Sequence, residues 1–195
     1  MLSACTHPPP REDLPRSEGN SADHSRTVTV PIESSPNAAA SPYGAQFLDT
    51  MIADHEAVLN IAQLAQTRAG SSDLKALVRM MIARQQAEIK QMRGLREIDA
   101  ASAPPSVNID LPGIKDGVLT LDPDKLDVLK EDGFDRELLI EMIRHHTGSI
   151  ALLTDADEKL NSSGADDIRA FIRATATDRR SELEQMKKLQ ASLPR

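Results

Sequence analysis

Residues 47–55 read Phe-Leu-Asp-Thr-Met-Ile-Ala-Asp-His, and residues 138–146 read Leu-Leu-Ile-Glu-Met-Ile-Arg-His-His. The Met-Ile pair and the final His coincide at an offset of 91 residues. A second pair of stretches follows: residues 85–92 read Gln-Gln-Ala-Glu-Ile-Lys-Gln-Met, and residues 179–186 read Arg-Arg-Ser-Glu-Leu-Glu-Gln-Met, at an offset of 94. Two copies of a unit this long indicate a duplicated helical hairpin rather than a solenoid, which needs at least about three repeats.

The composition favours helices over strands. Ala, Leu, Glu, Gln, Arg and Met, which are helix formers, dominate the long segments. Aromatic residues make up only 2% of the 195 residues, whereas β-sandwiches and barrels use many aromatic and β-branched side chains. A chain of this length suffices for one domain with its own core. The sequence therefore predicts an all-α protein.

Local start and stop signals predict four long helices. The signals are Ser41-Pro42 and Ser72-Asp73 as starts, Gly70 as a stop, and Ser163 with Asp166 as a capping box. The predicted limits are 42–68, 72–98, 134–160 and a last helix that ends before Pro194, with a short extra helix from Asp122-Pro123 to Gly133. Helices of this kind pack as an antiparallel four-helix bundle made of two tandem hairpins.

The same signals predict one folded domain behind a tether. Residues 1–40 are rich in Pro, Ser, Asn and charge and carry no helical period, so we expect a disordered N-terminal tether. The bundle then occupies residues 41–195. Its predicted parts are a first repeat at about 42–98, a connection at 99–133 and a second repeat at about 134–191.

The inward stripes of the second and fourth helices contain carboxylates as well as apolar residues. Steps of three and four residues place each stripe on one helix face. The two stripes are Leu74, Val78, Met81, Gln85, Glu88 and Met92, and Ile168, Ile172, Thr175, Arg179, Glu182, Met186 and Leu189. A buried carboxylate is normally paired with a cation or bound to a metal, so Glu88 and Glu182 require partners in the seam.

The first and third helices supply candidate metal ligands. Met51 and His55 are four residues apart, and Met142 precedes His145 and His146 by three and four residues, so each set can share a helix face. Imidazole with thioether suits copper, above all Cu(I), whereas imidazole with carboxylate also suits Cu(II) or zinc. These residue types favour a metal ion as the partner, with copper preferred over zinc.

A packed core without metal is the alternative interpretation. Methionines at helical spacing often fill cores. Arg179 lies three residues before Glu182 and can pair with it along the helix. Because a guanidinium in the seam repels a cation, the position of Arg179 relative to His55, His146 and Glu88 discriminates between the two interpretations.

These residues resemble a bacterial family known as domain of unknown function 305. Its repeat reads roughly Met-x-x-His-His followed by Gln-x-x-Glu-Ile-x-x-Met, usually in two copies, and the resemblance covers residues 46 to about 189. The resemblance implies a ferritin-like four-helix fold and a location outside the cytoplasm, by secretion or lipid anchoring. It also implies copper binding, which some members of the family show.

Matched position by position, the resemblance implies a set of site residues. The residues that match the family's expected metal ligands are Met51, His55, Glu88, Met92, Met142, His145, His146, Glu182 and Met186. Three further residues are expected to lie beside these ligands: Asp54, Gln85 and Arg179. The chain departs from the family at two positions. Asp54 replaces the first His of the first copy, and Arg179 replaces the Gln of the second copy. The expected function is copper buffering or carriage, and the alternative is an envelope structural or interaction module whose metal site has become a salt-bridged polar core.

Other functions lack support in the sequence. The net charge of −7 and the absence of a basic stripe argue against nucleic-acid binding. No nucleophile–base pair, Gly-rich phosphate loop or Cys/His zinc pattern is present, so we expect no enzymatic activity. Glu141 and His145 are four residues apart, not the three of di-iron carboxylate bundles.

Cys5 is the one cysteine, and Leu-Ser-Ala-Cys resembles the lipobox at which bacterial lipoproteins are cleaved and lipidated. A lipidated cysteine followed by a tether would hold the domain at the cell envelope, with the lipid as its link to the membrane. The alternative is a cytosolic protein with a chance cysteine near its start.

The lipoprotein interpretation predicts that the DNA upstream of the Met1 codon encodes an in-frame basic and then apolar segment, because lipidation requires a signal peptide. Sequencing that region tests it. A stop codon directly upstream, without such a segment, would favour the cytosolic alternative.

Overall fold

The computed structural model describes residues 32–117 and 128–193. Within these ranges the chain forms helices and no strands. The long helices are α1 (Tyr43–Arg68), α2 (Ser72–Asp99), α4 (Glu131–Lys159) and α5 (Asp166–Ser192), and the one-turn helix Ile114–Gly117 is α3. The predicted all-α four-helix fold is confirmed.

The four long helices pack as two hairpins. Helix α1 lies against α2, α4 lies against α5, and the hairpins meet along α1–α4 and α2–α5. This is the arrangement that the internal repeat predicts.

The interior of the bundle is layered along its length. One apolar cluster contains Phe47, Met51, Met92, Leu152, Phe171 and their neighbours. The other contains Val58, Leu74, Phe134, Met142, Met186 and their neighbours. In all four long helices, buried polar residues lie between the segments that form these two clusters. The candidate site is therefore a polar layer between two apolar ones.

Two predicted helix signals are wrong. Ser163 does not cap α5: its hydroxyl donates to the Leu160 carbonyl at 2.8 Å, and the cap residue is Ala165, which makes no side-chain cap bond. Gly133 does not end a helix either, because α4 begins at Glu131 and runs through it. A single glycine in a helix costs only about 1 kcal/mol, which tertiary packing readily outweighs.

The connection between the hairpins is anchored to α1. The Asn108 amide donates to Gln46 Oε1 at 2.7 Å, and the Asn108 backbone N–H donates to Thr50 Oγ1 at 2.8 Å. The Ser35 backbone N–H donates to the Val107 carbonyl at 2.8 Å. The described part of the predicted tether, residues 32–40, thus lies against this connection.

Two predictions lie outside the described residues: the lipobox-like Cys5 and the helix start at Asp122-Pro123. Among the helices that are described, none combines the length and apolar character that a membrane span requires.

Three glycines allow α3 to pack closely on α4. A Cβ atom at Gly148 would lie 2.7 Å from Gly117 Cα and would also overlap the Gly113 carbonyl oxygen. Gly113 itself adopts a φ of +80°, a conformation that favours glycine. This close approach brings the Gly117 carbonyl within 3.0 Å of His145 Nδ1.

We predict that Gly148→Ala lowers the free energy of unfolding by about 2 kcal/mol, because the added methyl group overpacks a backbone–backbone contact. Urea unfolding followed by circular dichroism measures the change. Gly94→Ala is the matched control: nothing lies within 4 Å of its Cβ position, and a neutral or slightly stabilising effect is expected there. Equal effects at the two positions would contradict the packing argument.

A buried ion-pair cluster between the two hairpins

At the centre of the polar layer, each long helix supplies one His or Glu residue of the repeated motifs. These are His55 on α1, Glu88 on α2, His146 on α4 and Glu182 on α5. Arg179 lies one turn before Glu182 on α5. The side chains of all five are at most 9% exposed. We refer to these five residues as the seam cluster.

Arg179 lies at the centre of the seam cluster, and its side chain is 0% exposed. Its Nη2 donates to Glu88 Oε2 at 2.5 Å, and its Nη1 donates to Glu182 Oε2 at 2.8 Å. Glu88 belongs to the first hairpin and Glu182 to the second. The guanidinium therefore connects the two hairpins through charge-assisted hydrogen bonds, which are stronger than neutral ones.

His55 lies beside two carboxylates and the guanidinium. Burial alone would lower its pKa, but the carboxylates of Asp54 and Glu88 outweigh burial and raise the pKa. The Nε2 atom of His55 lies 2.7 Å from Glu88 Oε2 and 2.9 Å from Arg179 Nη2. Because Nη2 also donates to Glu88 Oε2, the three side chains meet at one point.

His146 remains neutral. Burial lowers its pKa in spite of the nearby Glu182 carboxylate. Its Nε2 lies 3.0 Å from Glu182 Oε2, and its Nδ1 lies 3.0 Å from the Met142 carbonyl oxygen. Both neighbours are acceptors, so the single ring proton serves only one of them.

Asp54 and His145 extend the polar layer on the far side of His55. Asp54 Oδ2 lies 3.5 Å from His145 Nε2 and 3.8 Å from His55 Nδ1. Neither of these nitrogens has a hydrogen-bond partner within the part of the chain that the structure describes. Burial lowers the pKa of His145 to about 4, so this ring is also neutral at pH 7.

The buried carboxylates of the layer face cationic or hydrogen-bonding groups. Although burial raises the pKa of each carboxyl, the neighbouring His and Arg side chains outweigh it and keep Asp54, Glu88 and Glu182 ionised. Arg179 lies between Glu88 and Glu182. The partly exposed Arg84 lies 3.5 Å from Glu182 Oε1 and 3.1 Å from Asp178 Oδ1. Sequence reasoning missed Arg84 because it lies outside the repeated motifs.

The structure brings together some of the predicted site residues and separates others. The His, Asp, Glu and Arg members lie in the polar layer. The four methionines are distributed between the apolar clusters, with Met51 and Met92 in one and Met142 and Met186 in the other. Gln85 is buried, and neither of its amide atoms has a hydrogen-bond partner among the described residues.

A metal ion, which the family resemblance implies, does not fit the seam cluster as it stands. The imidazole and carboxylate atoms that would bind the ion already face the Arg179 guanidinium or each other. Across residues 32–117 and 128–193, no group of three or more His, Cys, Asp or Glu side chains is arranged to hold a metal ion.

The fold and the cluster define a class: a four-helix bundle of two tandem hairpins with a polar layer of His, Glu and Arg between them. The sequence model of the family described as domain of unknown function (DUF305) matches residues 20–96 and 115–190. Each segment covers nearly all of one hairpin, and together they cover more than half of the chain. This protein belongs to the DUF305 family, as the motifs predict. None of the curated proteins matches it.

Solved structures share this fold. A DUF305 fragment from Deinococcus radiodurans matches with a TM-score of 0.63 at 21% identity, over 78% of this chain and 97% of that chain. CopM in the Cu(II)-bound form matches with a TM-score of 0.60 at 23% identity, over 76% and 95%. A DUF305 protein from Streptomyces coelicolor, described as secreted, matches with a TM-score of 0.62 at 18% identity, over 76% and 90%. CopM has also been solved with Cu(I) and with silver. At these identities the matches establish the fold alone.

We predict that the stability of the domain falls as the pH is lowered from 6.5 to 4.5. The pKa of His145 is about 4 when folded, against 6.5 for an unperturbed histidine. Between those values the unfolded chain binds more protons than the folded chain, so acid favours unfolding. The free energy of unfolding should be lower at pH 4.5 than at pH 6.5 by about 2 kcal/mol. Urea unfolding at several pH values measures this free energy.

The variant His145→Asn serves as the control for that experiment. It removes the titrating group, and its amide nitrogen takes the place of Nδ1 as donor to the Gly117 carbonyl. The pH dependence in this window should become weaker, and His146, whose pKa is also lowered, should retain a part of it. An unchanged slope in the variant would assign the effect to other groups.

Proposed function

We propose that this protein is a non-catalytic, extracytoplasmic helical module of the cell envelope, in which a salt-bridged core replaces a metal site. The observation that carries the proposal is the fully buried Arg179 guanidinium, held between Glu88 and Glu182 and against His55. The module then acts through its folded surface, as a structural or interaction element, and not through a bound ion.

Electrostatics support the exclusion of metal. A cation entering the seam cluster would meet the Arg179 guanidinium, which is buried where the effective dielectric constant is low. Removing Arg179 from between its two carboxylates would leave buried charges unpaired, which typically costs about 3–5 kcal/mol. The free energy of metal binding would have to exceed that cost.

Burial supports a non-catalytic role. Within the described residues, the histidines and the buried carboxylates that contact them lie in the polar layer. Their side chains are at most 9% exposed and interact with one another, which keeps a substrate away from them.

The envelope location rests on the N-terminal sequence and on the comparisons. The lipobox-like Cys5 favours export, and one neighbour in fold is described as secreted. A lipid on that cysteine would provide the link to the membrane.

Copper buffering or carriage is the second candidate function. It is favoured by two buried imidazole nitrogens, His55 Nδ1 and His145 Nε2, which have no hydrogen-bond partner in the described ranges and lie within 4 Å of Asp54 Oδ2. The fold is also that of CopM, which has been solved with bound copper.

A competitive Cu(I) titration separates the two functions. We predict that the full chain carrying Cys5→Ser takes up no copper above the background of a competing chelator, because the Arg179 guanidinium already occupies the carboxylates of the seam cluster. The Cys5→Ser change is needed because a free thiolate binds Cu(I) by itself.

The variant His146→Ala completes this test. In the proposed module it lowers the midpoint of thermal unfolding and leaves copper uptake unchanged. Tight uptake of about one or two equivalents by the Cys5→Ser chain, lost on His146→Ala, would instead establish copper handling.

A further inference from the structure

The segment before α1 runs antiparallel to the connection between the hairpins. Ser35 lies opposite Val107: its backbone N–H donates to the Val107 carbonyl at 2.8 Å, and its hydroxyl oxygen accepts from the Val107 N–H at 3.1 Å. The Ser34 hydroxyl oxygen accepts from the Ile109 N–H at 3.1 Å. Because residue numbers fall along one segment as they rise along the other, the chain that precedes Ser34 points along the connection toward Gly113 and α3.

A cleft of about 430 Å³ lies between α3 and α4, in that direction. It is lined by Gly113, Asp116, Arg144, Thr147, Gly148 and Ala151. The two glycines and Ala151 leave room above the backbone for the side chains of another segment. At the rim, Asp116 is exposed and has no ion-pair partner within residues 32–117 and 128–193, since the neighbouring Lys115 pairs with Asp110. The cleft thus combines a floor of small residues with one uncompensated negative charge.

The sequence just before the described residues matches this cleft in shape and charge. Residues 26–30 read Arg-Thr-Val-Thr-Val. Alternate side chains of an extended segment share a face, so Val28 and Val30 would lie together, and β-branched residues favour such a conformation. Arg26 adds a cation at one end. The sequence model of the family begins at residue 20, so it includes this segment in the same unit as the first hairpin.

We propose that residues 26–30 of this chain dock in the cleft between α3 and α4. Val28 and Val30 then pack on the glycines and Ala151, and Arg26 lies beside Asp116. Six extended residues, 26–31, span about 20 Å, against a rise of about 6 Å from Thr147 to Ala151 along α4. The segment is therefore long enough to cross the cleft from the described start of the chain at Ile32.

This docking does not depend on the proposed function, but one consequence of it does. In a chain lipidated at Cys5, the free tether would end at residue 25 and would leave the domain at the face formed by α3 and α4. That face would then be the one directed toward the membrane.

The test is hydrogen–deuterium exchange, read by mass spectrometry on the full-length chain in the Cys5→Ser background. Backbone amides of residues 27–30 are expected to exchange at least about 10-fold more slowly than those of an unstructured chain. Ala151→Arg fills the cleft with a long side chain and should return these amides to the unstructured rate. Ala87→Arg, at an exposed position of α2 away from the cleft, is the matched control and should leave the exchange slow.

A charge reversal tests the contact of Arg26 with Asp116. Asp116→Arg should speed exchange of residues 27–30 at least about threefold, because it opposes like charges at the rim. Adding Arg26→Asp restores the opposite pair and should restore slow exchange. This rescue distinguishes a lost contact from damage to α3, which a second substitution in another segment would not repair.

Trypsin provides an independent measurement, because a protease cleaves only the population in which its site is free. Cleavage after Arg26 is expected to be at least about 10-fold slower than cleavage after Arg16, which lies before the docked segment. In the Ala151→Arg variant the two bonds should be cleaved at similar rates.

Three results would overturn the docking. The first is exchange of residues 27–30 at the unstructured rate in the parent chain. The second is slow exchange that Ala151→Arg does not change, which would place the segment elsewhere. The third is protection that rises with protein concentration, which would mean that the cleft takes the segment of a second copy. None of these results bears on the copper titration, so this inference and the proposed function fail separately.

Discussion

The structure depends on the need to neutralise one buried guanidinium. Arg179 has no exposed surface, so its charge requires carboxylates close by, and it finds one on each hairpin. Those carboxylates are in turn buried and depend on Arg179 and the histidines to remain ionised. Because each member would be costly alone, the seam cluster forms as a whole when the hairpins meet.

This requirement fixes the register of the bundle. The seam cluster lies between two apolar clusters, each of which tolerates exchange among Leu, Met, Ile and Phe. Sliding one hairpin by a helical turn, about 5.4 Å, would place Arg179 or Glu88 against an apolar layer. Apolar packing supplies the main driving force for folding, and the charged layer specifies one alignment of the hairpins.

CopM, which has been solved with bound copper, shares the helical architecture of this chain at 23% identity. Relative to the repeat that the sequence resembles, this chain carries a carboxylate at position 54 and a guanidinium at position 179. Fold and ligand chemistry are separable in this way because the apolar layers determine the architecture, while a few side chains in the polar layer determine what it can hold.

The sequence by itself determined the class of fold, the two hairpins and the family, because helical periodicity and the internal repeat are local signals carried by many residues. It also placed His55, Glu88, His146, Glu182 and Arg179 on inward faces. It misjudged the ends of helices, where single residues such as Gly133 and Ser163 carry the signal and tertiary contacts override them. Only the tertiary structure decided that Arg179 reaches Glu88, a residue 91 positions away, and that the methionines lie outside the polar layer. A long side chain on an inward face has several partners within reach, and the packing of the four helices selects among them.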